Sequence, residues 1–404
     1  MQQDSQQERD AYTVYQEELA FQKELNILRN DFYYKMIDFR ETLLVDFFYR
    51  PLDTLSGDAY TARAISEHKT FYLLVDGMGK GLSASLSAMS MITFVNHLID
   101  KMIEYDSFSL DILLKESMDY IKPILLEEEV LSIDYIVMDS YFSELAYAKF
   151  SMPAFLLQDK NNTVLKINSN NPPMSKWSRS YKIDTYDVEN INKFLFYTDG
   201  LVENSTVYNN KPYSNYIEKD FANAFTREEV RENFFSRIFK QEDDVTFIFI
   251  NKLALNEHTL LHEKIFEANL KAVDEANSWY EDICQNANSS LAFNELFMNA
   301  YEHGSLGISA QTKHQLLEED NYFDRLLEDE KKCEKKISVK IYKIKSYLIT
   351  QISDEGNGFD TSILAVIFRN SQKFNGRGVF ISRKNSMGIY YNSKGNSVFF
   401  VNKI

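Results

Sequence analysis

The sequence predicts an α+β chain, in which an N-terminal helix precedes two mixed α/β sandwich domains. Three observations lead there. A length of 404 residues corresponds to two or three domains at about 150 residues each. An apolar content of 44%, with 14% aromatic, supplies real cores and argues against wholesale disorder. The apolar pattern also changes along the chain, from helical to strand-like near residue 41 and towards helical again near Leu253.

Residues 1–40 read as one helix. The stretch 9–36 contains no Gly or Pro and is rich in Glu, Gln, Leu and Lys. Val14, Phe21 and Leu28 recur every seven residues, with Leu25 and Phe32 on the alternate seam and Glu18 interrupting it. That spacing suits a coiled coil joining two copies, or a helix lying on its own domain. The runs LLVDFFYRP, DAYTARAI and TFYLLV then read as strands, followed by a helix over 79–102. Further strands are expected at 135–138, 145–150, 154–158, 194–197 and 245–250. In the last section the spacing predicts helices over 260–286 and around 294–303. The charge-dense stretch 318–336 reads as a solvated helical insertion. Strands over 337–344 and 347–353, a Gly-punctuated turn, a helix over 379–384 and a closing strand pair complete the chain. The expected domains are 1–40, 41–252 and 253–404.

A formal charge of −16 argues against general nucleic-acid or anionic-membrane binding. Cys284 and Cys333 form neither a CxxC pair nor a disulfide framework. The polar start MQQDSQQERD is not a secretory signal, and no window approaches the about 18 continuous apolar residues of a membrane span. A cytoplasmic protein with no nucleic-acid or membrane partner is expected.

Four motifs place an Asp at the end of an apolar run: Ser56-Gly57-Asp58, DGMGKG at 76–81, YTDG at 197–200 and DDVT at 243–246. If the strands are neighbours, these carboxylates converge at one sandwich edge. Clustered carboxylates repel, so such a cluster is tolerable mainly where cations compensate it. All-oxygen ligands select hard ions such as Mg²⁺ or Mn²⁺. An Asp-Gly pair alone is usually a turn, and the ordered set is the specific signal. Together with Tyr49-Arg50-Pro51-Leu52-Asp53, the set resembles the PPM-type Ser/Thr phosphatases, in particular their SpoIIE-like branch, over about 41–252. The resemblance implies a PPM-type sandwich holding two Mn²⁺ or Mg²⁺ ions. It implies Asp58, Asp76, Asp199 and Asp243 as metal carboxylates, Gly77 as a carbonyl ligand and Asp244 as a cap. Ser56 stands where a second Gly is common, and Phe150-Ser151-Met152-Pro153 where an Ala-Gly-His-Pro-like run is usual.

A second constellation begins at NELFMNAYEHG, 294–304. Glu295, Asn299 and His303 are spaced to share a helix face. An acid and an amide one turn apart suit a Mg²⁺-nucleotide, while His303 beside Gly304 reads as a helix C-terminal cation. DEGNGFD at 354–360 follows a strand, and Gly376-Arg377-Gly378 opens a helix where backbone amides can approach phosphates. In this order the motifs resemble the GHKL (Bergerat) ATPase fold, specifically the anti-sigma-factor serine kinases, over about 258–404. The resemblance implies Glu295 as general base, Asn299 as Mg²⁺ ligand and Asp354 as adenine contact. Gly356, Gly358, Gly376 and Gly378 would form the pocket and lid around Mg²⁺-ATP. Met387 stands about where that motif usually has an acid.

Together the two resemblances imply a bifunctional regulator of partner switching. One half would remove phosphate from a serine of a STAS-domain anti-sigma-factor antagonist, and the other would add it with ATP. A sigma factor is a further implied partner, and the N-terminal helix implies a homodimer. The alternative is an active phosphatase whose last section only binds ATP and a partner.

Overall fold

The computed structural model describes residues 26–32, 35–38, 42–79, 81–207, 211–361, 363–364 and 377–404. The chain divides into two compact units, residues 1–32 with 46–251 and residues 33–45 with 252–404.

The strands of the sandwich are Met36–Asp38 (β1), Thr42–Arg50 (β2), Asp58–Ala64 (β3), Lys69–Gly77 (β4), Val130–Asp139 (β5) and Glu144–Phe150 (β6). They continue with Phe155–Asp159 (β7), Val164–Ile167 (β8), Met174–Ser175 (β9), Asp184–Asp187 (β10), Ile191–Tyr197 (β11) and Val245–Leu253 (β12). One sheet runs β10-β6-β5-β4-β3, with β9 beside β5, and the other runs β1-β2-β12-β11-β7-β8. β4 is buried on both faces, which is why it reads as a continuous apolar run. Phe71, Leu73 and Val75 pack with Met91, Ile92 and Val95 of the helix Leu82–Glu104. Tyr72 points the other way, its ring 6.3 Å from that of Phe196 on β11. By length and composition that helix could cross a membrane, but half of its most apolar stretch is buried in this core. The outer face of the second sheet is covered by the helices Ile217–Asn223 and Arg227–Arg237, through Phe221, Val230 and Phe234. Thr226 and Glu229 form a capping box on the second of these.

The helix expected over 1–40 does not extend to residue 40. Residues 28–32 form a turn, and Met36–Asp38 is a strand. Asn30 Oδ1 accepts the Phe32 amide at 2.9 Å, the local bond by which short polar side chains compete with a helix. Asp31 N donates to Ala62 O at 2.9 Å, and the Asp31 carboxylate takes the Arg63 guanidinium at 3.1 Å. Leu28 and Phe32, read as part of a dimer seam, are instead buried in the first unit. Val14, Phe21 and Leu25 lie outside the described residues.

The second unit contains Leu260–Glu267 (β13), Lys336–Ile344 (β14), Tyr347–Asp354 (β15), Gly388–Tyr391 (β16) and Ser397–Lys403 (β17), in the sheet order β13-β14-β15-β17-β16. The helices Leu270–Ile283 and Ala287–Asn299 bury Ala276, Tyr280, Phe293 and Phe297 against it. The Tyr280 and Phe293 rings stack 4.1 Å apart. Three expectations change here. The helix predicted over 260–286 starts only at Leu270, because Asn269 Oδ1 caps Ala272 N at 2.8 Å and residues 260–267 pair with β14. That strand is at the sheet edge and fully buries only Phe266, so its sequence carries almost no alternation. The second helix ends in a π-helical turn, Ala300–Ser305, which takes His303 off the Glu295–Asn299 row; its Nδ1 meets the Ile308 carbonyl instead. The insertion forms the helices Ala310–Glu318 and Tyr322–Glu330, and it is docked rather than merely solvated. Leu326 is buried, Glu330 accepts from Leu270 N at 2.6 Å, and Tyr322 donates to buried Glu302.

Candidate active site

Antiparallel pairing of β3 with β4 sets Asp58 opposite Asp76. β11 pairs with β12, Tyr197 opposite Phe247, so Asp199 and Asp243 emerge at one end of the second sheet. Asp199 precedes a short helix, Gly200–Glu203. A Cβ at Gly200 would fall 1.7 Å from the Asp244 carbonyl oxygen, so only glycine lets this turn pass the DDVT segment.

The electrostatics report the convergence. Burial, then the neighbouring Asp58, Asp199 and Asp243 carboxylates, push Asp76 up to about 10, and an acid–acid hydrogen bond with Asp199 adds to this. Burial also raises buried Asp58, whose Oδ2 accepts from Thr198 Oγ1 at 2.7 Å. Asp244 is turned away to a different task, accepting the Leu52 amide at 2.6 Å and the Gly57 amide at 2.7 Å. A cleft of about 620 Å³ opens above Asp76 and Asp199, lined also by Glu203, Ser132, Ser151 and Ser214, with no Lys or Arg among its described lining residues. Glu203 is raised by burial and by Asp199 and Asp243.

This set of hard oxygen donors fits a divalent cation by its chemistry. Among the described residues, no three His, Cys, Asp or Glu side chains are already arranged around one ion-sized point. Asp76 and Asp199 share a hydrogen bond instead. Gly77 follows Asp76 at the strand end, where the sequence places it. Thr198 sits inside the YTDG motif but is not singled out by it. Ser132, opposite Asp76 in the β4–β5 register, could be found only from that register, and nothing local marks Ser214 or Glu203.

The second unit brings its expected residues into two clusters. Glu295 and Asn299 lie on one helix, and a Cβ on Gly378 would come within 2.8 Å of Glu295 Oε2 and 3.4 Å of Asn299 Nδ2. Asp354, at the end of β15, accepts the Gly356 amide at 2.8 Å and is raised by burial. Gly304 packs on that carboxylate so closely that a Cβ would lie 2.3 Å from its Cγ. Gly358 follows in a left-handed turn (φ +74°), and Gly376 lies outside the described residues.

Residues 66–252 match the family described as Stage II sporulation protein E (SpoIIE). This region is similar to the SpoIIE family. The match takes in Asp76, Asp199 and Asp243, while Asp58 stands just ahead of it and residues 253–404 lie beyond it. The chain is 23% identical over 164 residues to the phosphoserine phosphatase RsbP of Bacillus subtilis (strain 168), an overlap covering 39% of this chain and 40% of that protein. Among solved structures it is similar to the RsbU and RsbW domains of Rv1364c from Mycobacterium tuberculosis, with 14% identity, 89% of this chain and 93% of that one covered, and a TM-score of 0.46. The SiaA-PP2C domain of Pseudomonas aeruginosa aligns with 16% identity over 51% of this chain and 85% of its own, with a TM-score of 0.45. The matched region thus contains the described lining of the cleft and three of the four expected metal carboxylates.

Proposed function

We propose that the SpoIIE-like domain is a metal-dependent phosphoserine protein phosphatase acting in partner switching. The observation that carries this is the set Asp58, Asp76, Asp199 and Asp243, gathered from separate strand ends and mutually repelling at one cleft. These four, with the Gly77 carbonyl, would hold Mn²⁺ or Mg²⁺. Bound ions of this kind supply an activated water and neutralise phosphate charge. The chain's own residues do the rest. Thr198 orients Asp58, and Asp244 fixes the loop that presents it. The Ser132, Ser151 and Ser214 hydroxyls line the cleft as neutral partners for phosphate oxygens. The test is phosphate release from a phosphoserine peptide with Mn²⁺ and with EDTA. Full activity in EDTA overturns the reading.

The finer proposal adds the second unit. Glu295, Asn299 and Gly378 form a cluster of base, amide and close backbone, and Asp354 sits under two glycines where an adenine amine could reach it. These would hold Mg²⁺-ATP, with Gly356, Gly358 and Gly376 around it, and Glu295 would act as base toward the serine of a STAS-domain antagonist. The same antagonist would be the phosphatase substrate, with a sigma factor as the downstream partner. Mass analysis of a candidate STAS protein, incubated with ATP and the Asp76→Ala chain, tests the transfer. Tight ATP binding with no labelled serine would leave a binding module in place of a kinase.

A further inference from the structure

Asn204 stands just past the short helix that follows Asp199, and it is buried. So short a helix leaves its carbonyls without partners along its own turn. The Asn204 side chain supplies one partner, its Nδ2 donating to Gly200 O. At the other end of the amide, Oδ1 accepts the Glu242 N–H at 2.6 Å. Gly200 is the residue after Asp199, and Glu242 is the residue before Asp243. One side chain therefore ties together the peptides that adjoin two of the four expected metal carboxylates. A carboxamide suits this place because it donates from one atom and accepts at the other. Its neighbours fix its orientation, a carbonyl facing the nitrogen and an N–H facing the oxygen. The next residue doubles the clasp: Ser205 N and Oγ both donate to Glu242 Oε2, at 3.4 and 3.3 Å. Sheet pairing does not reach this far. The β11–β12 register ends at Tyr197 opposite Phe247, so Asp199 and Asp243 lie on segments outside the ladder.

We propose that Asn204 is a positioning residue of the metal centre, holding the Asp199 and Asp243 segments together so that both carboxylates serve one site; the inference rests on the metal-dependent phosphatase reading. Asn204 acts through the ligands and not on substrate. Its backbone carbonyl also accepts the Tyr213 amide at 3.0 Å, and Tyr213 stands between Pro212 and Ser214 of the cleft lining. That bond is open to any residue, so a substitution at Asn204 addresses the clasp between the ligand segments rather than the cleft wall. With the clasp cut, the two carboxylates can move apart, and loss of a group that orients a metal ligand costs roughly 10–100-fold in metal affinity. A purely structural asparagine would lower the unfolding midpoint and leave the metal affinity of the folded protein as it was.

The test uses the full chain, stripped of metal and titrated with Mn²⁺ by calorimetry, with the binding that persists in Asp76→Ala subtracted. Asn204→Ala should weaken Mn²⁺ binding at least about tenfold. Its rate on p-nitrophenyl phosphate should fall at limiting Mn²⁺ and recover as Mn²⁺ is raised. An unchanged Mn²⁺ affinity in folded Asn204→Ala would overturn the positioning role and leave the phosphatase reading standing. Asn204→Ser, a smaller polar change, carries the same expectation where the Ala chain does not fold. Failure of both variants to fold would overturn the positioning role in favour of a folding one. An unaltered chain that binds no more Mn²⁺ than Asp76→Ala would overturn the metal-dependent reading itself, and the role of Asn204 with it.

Discussion

The two units gather acids by opposite means. In the first unit four carboxylates are brought together, and burial, followed by the neighbouring acids, pushes Asp76 up to about 10. In the second unit Asp354 is raised by burial, and glycine backbone presses on it from Gly304 and Gly356. The first arrangement offers a cluster of oxygen ligands suited to a hard cation. In the second, backbone packs directly on the acid. A dense acid cluster and a glycine-packed acid are therefore different environments although both contain strand-end aspartates.

The largest effect expected is at the first cluster. Asp76→Ala or Asp199→Ala should take phosphate release down more than about a hundredfold, beyond the effect of altering an outer-shell group. The same substitutions should raise the thermal midpoint of the EDTA-treated protein, since they remove repulsion; a fall would mean the cluster is not strained. At the second cluster the order inverts. Glu295→Ala should leave ATP binding by calorimetry intact while cutting serine transfer by roughly 10²–10⁴. Asn299→Ala should weaken ATP binding only when Mg²⁺ is present.

Smaller effects separate packing from chemistry. Leu28→Ala should cost about 2–5 kcal/mol in urea unfolding, as for a core leucine, whereas a pure dimer contact would alter mass and leave monomer stability alone. Gly200→Ala drives a Cβ into backbone and should cost about 1–3 kcal/mol together with activity. Gly304→Ala meets the Asp354 side chain first, and displacing that carboxylate from the Gly356 amide should lower ATP affinity more than the midpoint. Smallest of all, Ser151→Gly relieves a left-handed residue (φ +56°) at the cleft wall and should stabilise the fold by up to about 1 kcal/mol.

The central strands were legible because their apolar runs are long and end at Asp or Gly, as β4 ends at Asp76-Gly77. The short strands β8, β9 and β10, of two to four residues, carry too little pattern to be read. The 1–40 reading failed at Asn30 and Asp31, polar residues that sit comfortably in a helical pattern until β3 offers them partners. Likewise Leu260–Glu267 looks helical until β14 pairs with it. At the site, residues inside a motif were visible, and Ser132, Ser214 and Glu203 were not, because the cleft is assembled from segments far apart in sequence.

Asp244 carries a consequence for the newborn chain. Its carboxylate holds Leu52 N and Gly57 N, groups 192 and 187 residues earlier. At about 5–20 residues per second of synthesis, roughly 10–40 s pass between the emergence of Leu52 and that of Asp244. During that interval the loop bearing Asp58 has no brace, and Asp199 and Asp243 cannot yet be paired by β11 and β12. A chain that ends before residue 243 therefore lacks both Asp243 and the brace that Asp244 supplies. The carboxylate set is complete only when the last sandwich strand is made.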